Sequence, residues 1–158
     1  MPNRSRKNKG TMRMDPNLFI LENVAVTDQD SVVNTTIFTN SEKQRYLFAL
    51  RSANVSMPVC ATGTNTTYFV LRRVPSGYSA PAATVSTGLT VWADQPDVLA
   101  YAYYISQSAS TTPVNVEFTK LKRNVVLFEG DLVVLQAVPS TGVDSSFYGQ
   151  IEFGTRGL

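Results

Sequence analysis

The stretch of sequence that decides the fold runs from Asn124 to Val138 and reads NVVLFEGDLVVLQAV. Two apolar runs flank Glu129-Gly130-Asp131, where glycine can supply the positive φ that a tight turn needs. The pattern therefore predicts two short strands joined as a hairpin. Because both runs are apolar at nearly every position, we expect the pair to be buried on both faces or covered by a partner subunit.

Short apolar stretches separated by turn residues continue on both sides of this block. Several alternate with a period of two, which indicates half-buried strands, and no segment sustains the apolar spacing of a helix. The segment from Val74 to Asp97 is rich in proline and glycine and is predicted to be mostly a long loop. The predicted strands are Phe19–Thr27, Val32–Thr39, Arg45–Arg51, Thr66–Val74, Val98–Ile105, Val114–Lys120, Asn124–Phe128, Leu132–Val138 and Phe147–Phe153, with Thr84–Trp92 as a further candidate.

The composition narrows the class of function. The 158 residues favour one domain, and many short strands with such connections favour an all-β sandwich or barrel. The chain has no histidine and one cysteine, Cys60, which removes histidine-dependent catalysis, zinc sites and an intramolecular disulfide. We therefore expect a protein that is not an enzyme and that needs no cofactor and no metal. A calcium site between subunits at Asp94 or Asp97 remains an alternative to ordinary turn chemistry.

The charge is distributed unevenly along the chain. The first 14 residues, MPNRSRKNKGTMRM, hold five basic side chains and no acidic one, whereas the rest of the chain holds nine basic and 12 acidic side chains. We expect residues 1–15 to form a disordered basic arm that attracts phosphate, although a solvated terminus without function is an equal alternative. No apolar run is long enough for a membrane span. The basic residues of the arm are Arg4, Arg6, Lys7, Lys9 and Arg13.

The remaining basic residues form two clusters in the body of the chain, and they have two interpretations. They could line an inner surface that faces nucleic acid, or they could be ordinary solvated strand ends. The aromatic cluster Tyr101, Tyr103 and Tyr104 is likewise either a stacking platform for bases or part of a core or interface, and packing is favoured. The two basic clusters are Arg72 with Arg73, and Lys120 with Lys122 and Arg123.

A basic N-terminal arm followed by eight or nine short strands resembles the small single-jelly-roll capsid proteins of icosahedral viruses, of the circular single-stranded DNA virus or satellite virus type. The blocks KLKRNVVLFEGDLVVLQAV and FVLRRVPSGYSAP are similar to segments of such chains. The resemblance implies an eight-stranded antiparallel jelly-roll sandwich over residues 16–158, with the arm inside the shell. It also implies a homo-oligomer of 60 copies (T=1) around a single-stranded DNA or RNA genome.

We therefore expect a capsid protein of the virion that assembles with itself and packages nucleic acid, with the arm also able to act as a nuclear import signal in the host. The alternative is a trimeric jelly-roll binding or decoration module, such as a fibre head or a TNF/C1q-like head, without a nucleic-acid role. Such a module would need no basic arm. We expect the receptor-facing loop at Ser76 to Gln95, because long loops on rigid scaffolds carry function.

Overall fold

The computed structural model describes residues 13–26, 32–57, 65–81, 95–106, 113–139 and 145–158. All regular structure within these ranges is β, and no helix among them is long and apolar enough to cross a membrane. Thr84–Trp92, Cys60 and Asp94 lie outside the described residues. The strands are β1 (Asp15–Val26), β2 (Val33–Thr39), β3 (Tyr46–Met57), β4 (Asn65–Val74), β5 (Val98–Ser106), β6 (Val114–Glu117), β7 (Thr119–Lys120), β8 (Asn124–Leu127), β9 (Leu132–Pro139) and β10 (Ser145–Gly157).

The strands form two antiparallel sheets. In sheet A the order is β1-β10-β3, with β6 and β8 both paired to β3. In sheet B the order is β2-β9-β4-β5-β7. The all-β prediction is confirmed, and each predicted strand outside Thr84–Trp92 has its counterpart. The described residues hold ten strands where the pattern predicted nine, because the single strand predicted over Val114–Lys120 is broken at Phe118 into β6 and β7. The eight strands that the resemblance implied are not what the structure has.

The break at Phe118 arises because the chain crosses from one sheet to the other and returns. The backbone N–H of Phe118 donates to the carbonyl of Ala53 in sheet A (3.0 Å). The N–H groups of Leu121 and Lys122 then donate to the carbonyl of Leu99 beside sheet B (2.9 and 3.0 Å). The chain re-enters sheet A at β8. The segment therefore joins the edges of the two sheets on this side of the sandwich.

The core lies between the two sheets and is built around phenylalanine. Phe48 of β3 stacks on Phe153 of β10 with ring centroids 4.7 Å apart, and Phe38 of β2 meets Phe153 edge-on at 5.7 Å. Farther along, Phe69 of β4 contacts Phe147 of β10 at 5.0 Å. Rings from both sheets therefore interdigitate, which is the packing that an alternating apolar pattern on each strand predicts.

β9 is buried on both faces, as predicted, but its second face is covered by its own chain. Leu135 and its neighbours on one face join the main core, whereas Val138 packs with Val70 and Val98 on the outer side of sheet B. On that outer side the Gln136 amide donates to the carbonyl of Pro81 (2.9 Å). β8 differs from the prediction, since only its last residue is buried. The apolar run of β8 thus reflects an outer strand with one partly covered face.

The predicted hairpin between β8 and β9 is wrong, because the two strands belong to different sheets. The turn itself forms as expected: the Asp131 N–H donates to the Phe128 carbonyl (3.0 Å), and Gly130 has a φ of 79°. Such a glycine at the third position is what a type II turn requires. Asn40 then closes the connection, since its carbonyl accepts from Gly130 N–H (2.7 Å) and its N–H donates to the Asp131 carbonyl (3.0 Å). The turn therefore links the two layers of the sandwich.

Candidate nucleic-acid interface

The described chain begins at Arg13, and Met14 lies on the outer face of sheet A. Arg4, Arg6, Lys7 and Lys9 lie outside the described residues, and Arg13 is exposed two residues before β1 begins. A Cβ atom placed on Gly154 of β10 would lie 3.1 Å from the Cβ of Met14 and 3.5 Å from the Nε of Arg51. Met14 and Arg51 therefore both cover Gly154 from the solvent side.

Arg51 is a basic residue that sequence reasoning left out of the interface, although the pattern contained the signal. Period-two alternation puts Tyr46, Phe48 and Leu50 on one face of the strand and Arg51 on the other. In the structure Phe48 and Leu50 are buried while Arg51 is exposed. The register of β3 against β10 shifts at this point, between Glu152 and Phe153. This bulge brings Arg51 to the outer surface next to the start of β1.

Two of the predicted basic residues reach the same place. The Lys120 ammonium donates to the backbone carbonyl of Arg51, and the Arg123 carbonyl accepts from the Leu50 N–H (3.1 Å). Both side chains are exposed. The sheet crossing at Phe118 is what folds residues 120 and 123 back against β3. Arg13, Arg51, Lys120 and Arg123 are named the basic face below.

The basic face carries positive surface charge that nearby acidic residues neutralise only in part. Among the described residues, none of its four cations forms an ion pair. Two carboxylates lie nearby, since Glu152 borders one shallow hollow with Arg51 and Glu117 borders another with Lys120. The face is therefore moderately positive. Such exposed, flexible cations suit contacts to phosphate, which do not depend on sequence.

Lys122, the third basic residue of that predicted cluster, points elsewhere. Its ammonium donates to the carbonyl of Pro96 at the edge of sheet B, and the side chain is half-buried. The prediction grouped Lys120, Lys122 and Arg123 because they are close in sequence. The structure separates Lys122 from the other two because the crossing segment contacts both sheets in turn.

Arg72 and Arg73 do not belong to the exposed basic surface. Adjacent residues of a strand point to opposite faces, so the pair cannot present two guanidinium groups together. Arg72 is only 1% exposed; its Nε lies 3.5 Å from Asp97 Oδ2 and its Nη2 donates to Gln95 Oε1 (2.7 Å). Burial lowers the pKa of Arg72, and the nearby Asp97 carboxylate offsets part of that shift. This guanidinium therefore forms an internal ion pair and is not part of the exposed basic surface.

Arg73 is committed to a buried carboxylate. Its Nη2 and Nε lie 2.7 and 2.8 Å from Oδ2 of Asp131, and its guanidinium stacks over the Phe128 ring at 5.4 Å. Asp131 also accepts from the N–H groups of Ser76 and Phe128 at 3.0 and 2.9 Å. The second arginine therefore fastens the turn between β8 and β9 to the end of β4.

The tyrosine cluster and the candidate calcium ligands are also separated by the fold. Tyr104 is buried in the core, whereas Tyr101 and Tyr103 lie on the other face of β5, so the three rings do not form one platform. Asp97 faces Arg72 across the ion pair already described. Across the ranges that the structure describes, no group of three or more acidic or cysteine side chains could hold a metal ion.

No family model matches the sequence, and no curated protein is significantly similar to it. Among solved structures, the chain is similar to the protein of the T13 viral particle of IBDV, with 8% identity and a TM-score of 0.29. The match covers 100% of this chain and 44% of that chain, so this chain spans less than half the length of the virus protein. A TM-score of this size does not establish a common topology.

Proposed function

We propose that the chain is a jelly-roll capsid subunit that assembles with itself into a closed shell and packages single-stranded nucleic acid. The observation that supports the jelly-roll part of the proposal is the nesting of the strand pairs. The first strand pairs with the last (β1 with β10), the second with the next to last (β2 with β9), β3 with β8, and β4 with β5. The pairs alternate between sheets A and B.

This nesting is how a jelly roll is built, since a long hairpin rolls up so that successive strand pairs fall in opposite sheets. The count of ten strands is compatible with eight jelly-roll positions. β6 and β8 both pair with β3 and together occupy one position, interrupted by the crossing at Phe118. β7 is a two-residue bridge on β5 within that interruption. Jelly rolls serve viral capsids, and equally lectins and cupin enzymes, so the fold alone leaves the function open.

The basic arm and the basic face favour the capsid over the other jelly-roll functions. Arg13 is exposed two residues before β1, and Met14 and Arg51 lie together over Gly154. Lys120 and Arg123 are exposed beside the same stretch of β3. The other four basic residues of the arm precede Arg13 in the sequence. A capsid subunit needs such a basic surface for its genome, whereas a trimeric binding module does not. The subunit would be structural rather than catalytic and would reside in the virion.

Assembly needs surfaces that neighbouring copies can cover. Leu18 and Ile20 of β1 are 56% and 59% exposed, and the exposed Tyr148 of β10 lies on the same outer face. Sixty copies with icosahedral symmetry would be the simplest closed shell of this type. The genome would be single-stranded DNA or RNA, because contacts to phosphate do not distinguish the two. The arm could also direct the subunit to the host nucleus.

The first test is negative-stain electron microscopy of the purified full chain, with absorbance at 260 and 280 nm on the same sample. We expect uniform hollow particles that carry nucleic acid. A trimer or monomer that stays free of nucleic acid at every salt concentration would refute the capsid and favour the trimeric binding module.

The second test measures the affinity for single-stranded oligonucleotides as a function of salt. Eight phosphate contacts predict a slope of log K against log salt of about −6, and deleting residues 1–14 should reduce it to about −2. The variant Arg51→Gln/Arg123→Gln should make the slope less steep. The variant Lys43→Gln/Arg45→Gln removes the same charge just before β3 begins and should leave the slope unchanged. Equal effects of both pairs would show that only net charge matters.

A further inference from the structure

A cavity of about 480 Å³ opens beside the end of β4. Its apolar wall is formed by Val74, Pro75 and Pro81, and Tyr78 stands at its rim with 74% of its surface exposed. The volume falls within the range of small-molecule sites, which combine an apolar lining with a few polar groups. Ser76 to Gln95 is the region where the sequence predicts a receptor-facing loop, and its described parts border the cavity.

The polar groups of the cavity are held in place by buried partners. Gln95 and Asp97 line it, and both are fastened from behind by the buried guanidinium of Arg72. Arg73 also lines it and is fixed by the buried carboxylate of Asp131. Gln95 and Arg73 are therefore held by direct hydrogen bonds, and Asp97 by its ion pair with Arg72. Such support by surrounding residues is what a preorganised binding site requires.

The buried arginine is better explained by positioning than by stability. Burying an ion pair costs desolvation that its attraction seldom exceeds, and the Nε of Arg72 has no hydrogen-bond acceptor. Burial accordingly lowers the pKa of this group. Because Arg72 contacts both Gln95 and Asp97, its position orients the two side chains that line the cavity.

The charges of the cavity indicate what it binds. Each of its ionic groups already has an opposite partner, Arg73 with Asp131 and Asp97 with Arg72, so no unpaired cation awaits a phosphate or carboxylate. What remains are hydrogen-bond donors on Arg73 and Gln95 and acceptors on Gln95 and Asp97. The exposed ring of Tyr78 offers an apolar face beside them. Closely spaced hydroxyl groups on a ring with an apolar side match this set.

We propose that this cavity binds a neutral saccharide, with its ring against Tyr78 and its hydroxyls on Arg73, Gln95 and Asp97. The inference does not rest on the capsid proposal, because the cavity lies within one chain and would bind whether or not the chain assembles.

The test is saturation-transfer NMR on the full chain with millimolar methyl glycosides of neutral hexoses and N-acetylhexosamines. N-acetylneuraminic acid and uridine 5′-monophosphate serve as anionic comparators. We expect at least one neutral glycoside to bind in preference to both anions. Absence of binding by every neutral glycoside, or preference for an anion, would overturn the proposal.

Variants of the rim connect the binding to the cavity. Tyr78→Ala should weaken the affinity about tenfold, because it removes the stacking ring, whereas Tyr78→Phe should keep most of it. Tyr78 is largely exposed, so neither change should affect folding, and thermal unfolding of each variant checks this. Tyr148→Ala is the matched control, since it removes an exposed tyrosine from sheet A. If the two alanine variants lose affinity equally, or neither loses any, the cavity is not the site.

Discussion

Replacing Asp131 by alanine should destabilise the protein strongly, because this carboxylate holds the turn between β8 and β9. The carboxylate is 2% exposed and accepts four hydrogen bonds, from two nitrogens of Arg73 and from the N–H groups of Ser76 and Phe128. Its removal leaves two backbone N–H groups and a guanidinium without acceptors. Breaking a buried pair in this way costs about 3–5 kcal/mol. Because Arg73 is 27% exposed and water can reach it, we expect about 3 kcal/mol.

The measurement is the free energy of unfolding from urea titrations followed by circular dichroism, at one protein concentration so that assembly does not shift the comparison. Glu129→Ala is the matched control, because this exposed acid belongs to the same turn, and it should change stability by less than about 0.5 kcal/mol. A double-mutant cycle with Arg73→Met should give a coupling energy above about 1 kcal/mol. A loss below about 1 kcal/mol for Asp131→Ala, or no coupling, would refute the role of this carboxylate as the fastening point of the turn.

Two further predictions compare neighbouring substitutions by the same unfolding assay. Gly130→Ala should lower the free energy of unfolding by about 3 kcal/mol, because the new Cβ would lie 2.3 Å from Ser76 Oγ. Gly77→Ala has open space around its Cβ and should cost only the strain of its positive φ, about 1 kcal/mol. Equal losses would contradict this account. Asp97→Asn should destabilise the protein by about 3 kcal/mol, because it leaves the buried cation of Arg72 without its carboxylate. Arg72→Met should cost less, because it leaves a carboxylate that is 30% exposed to water. The reverse order would show that Arg72 is paired elsewhere.

The strands could be predicted from the sequence because each is specified by its own local alternation. Phe48 and Leu50 share a face wherever the strand lies, so the predicted and observed bounds agree to within a few residues except where β1, β3 and β10 run longer. Which strands pair with each other is not specified by local sequence. The turn at Gly130 has the same glycine requirement whether it joins neighbours in one sheet or links two sheets. What decides between them is Asn40, whose bonds to the turn come from a distant part of the chain.

The candidate site was predicted less well, because adjacency in sequence is a poor guide to adjacency on a sheet. Arg72 and Arg73 look like one basic cluster, yet each side chain is directed to a different acid, Asp97 and Asp131. Arg51 has no basic neighbour in sequence and gains its neighbours only when the chain folds back at Phe118. Assigning basic side chains to strand faces, rather than grouping them by closeness in sequence, would have included Arg51 and separated Arg72 from Arg73.

The two proposed sites lie on opposite sides of the sandwich, and this arrangement constrains how the subunit would sit in a shell. Of the basic face, Arg51 lies on the outer side of sheet A, and Lys120 and Arg123 lie at the edge where the two sheets are joined. The cavity adjoins the outer side of sheet B, where Gln136 contacts Pro81 and Arg72 contacts Gln95. A single orientation, with sheet A inward, would place the arm against the genome and leave the cavity open to the outside. Intact particles should then bind the neutral glycoside while their nucleic acid resists nuclease. Particles that bind the glycoside only after disassembly would require the opposite orientation, or a cavity covered by a neighbouring copy.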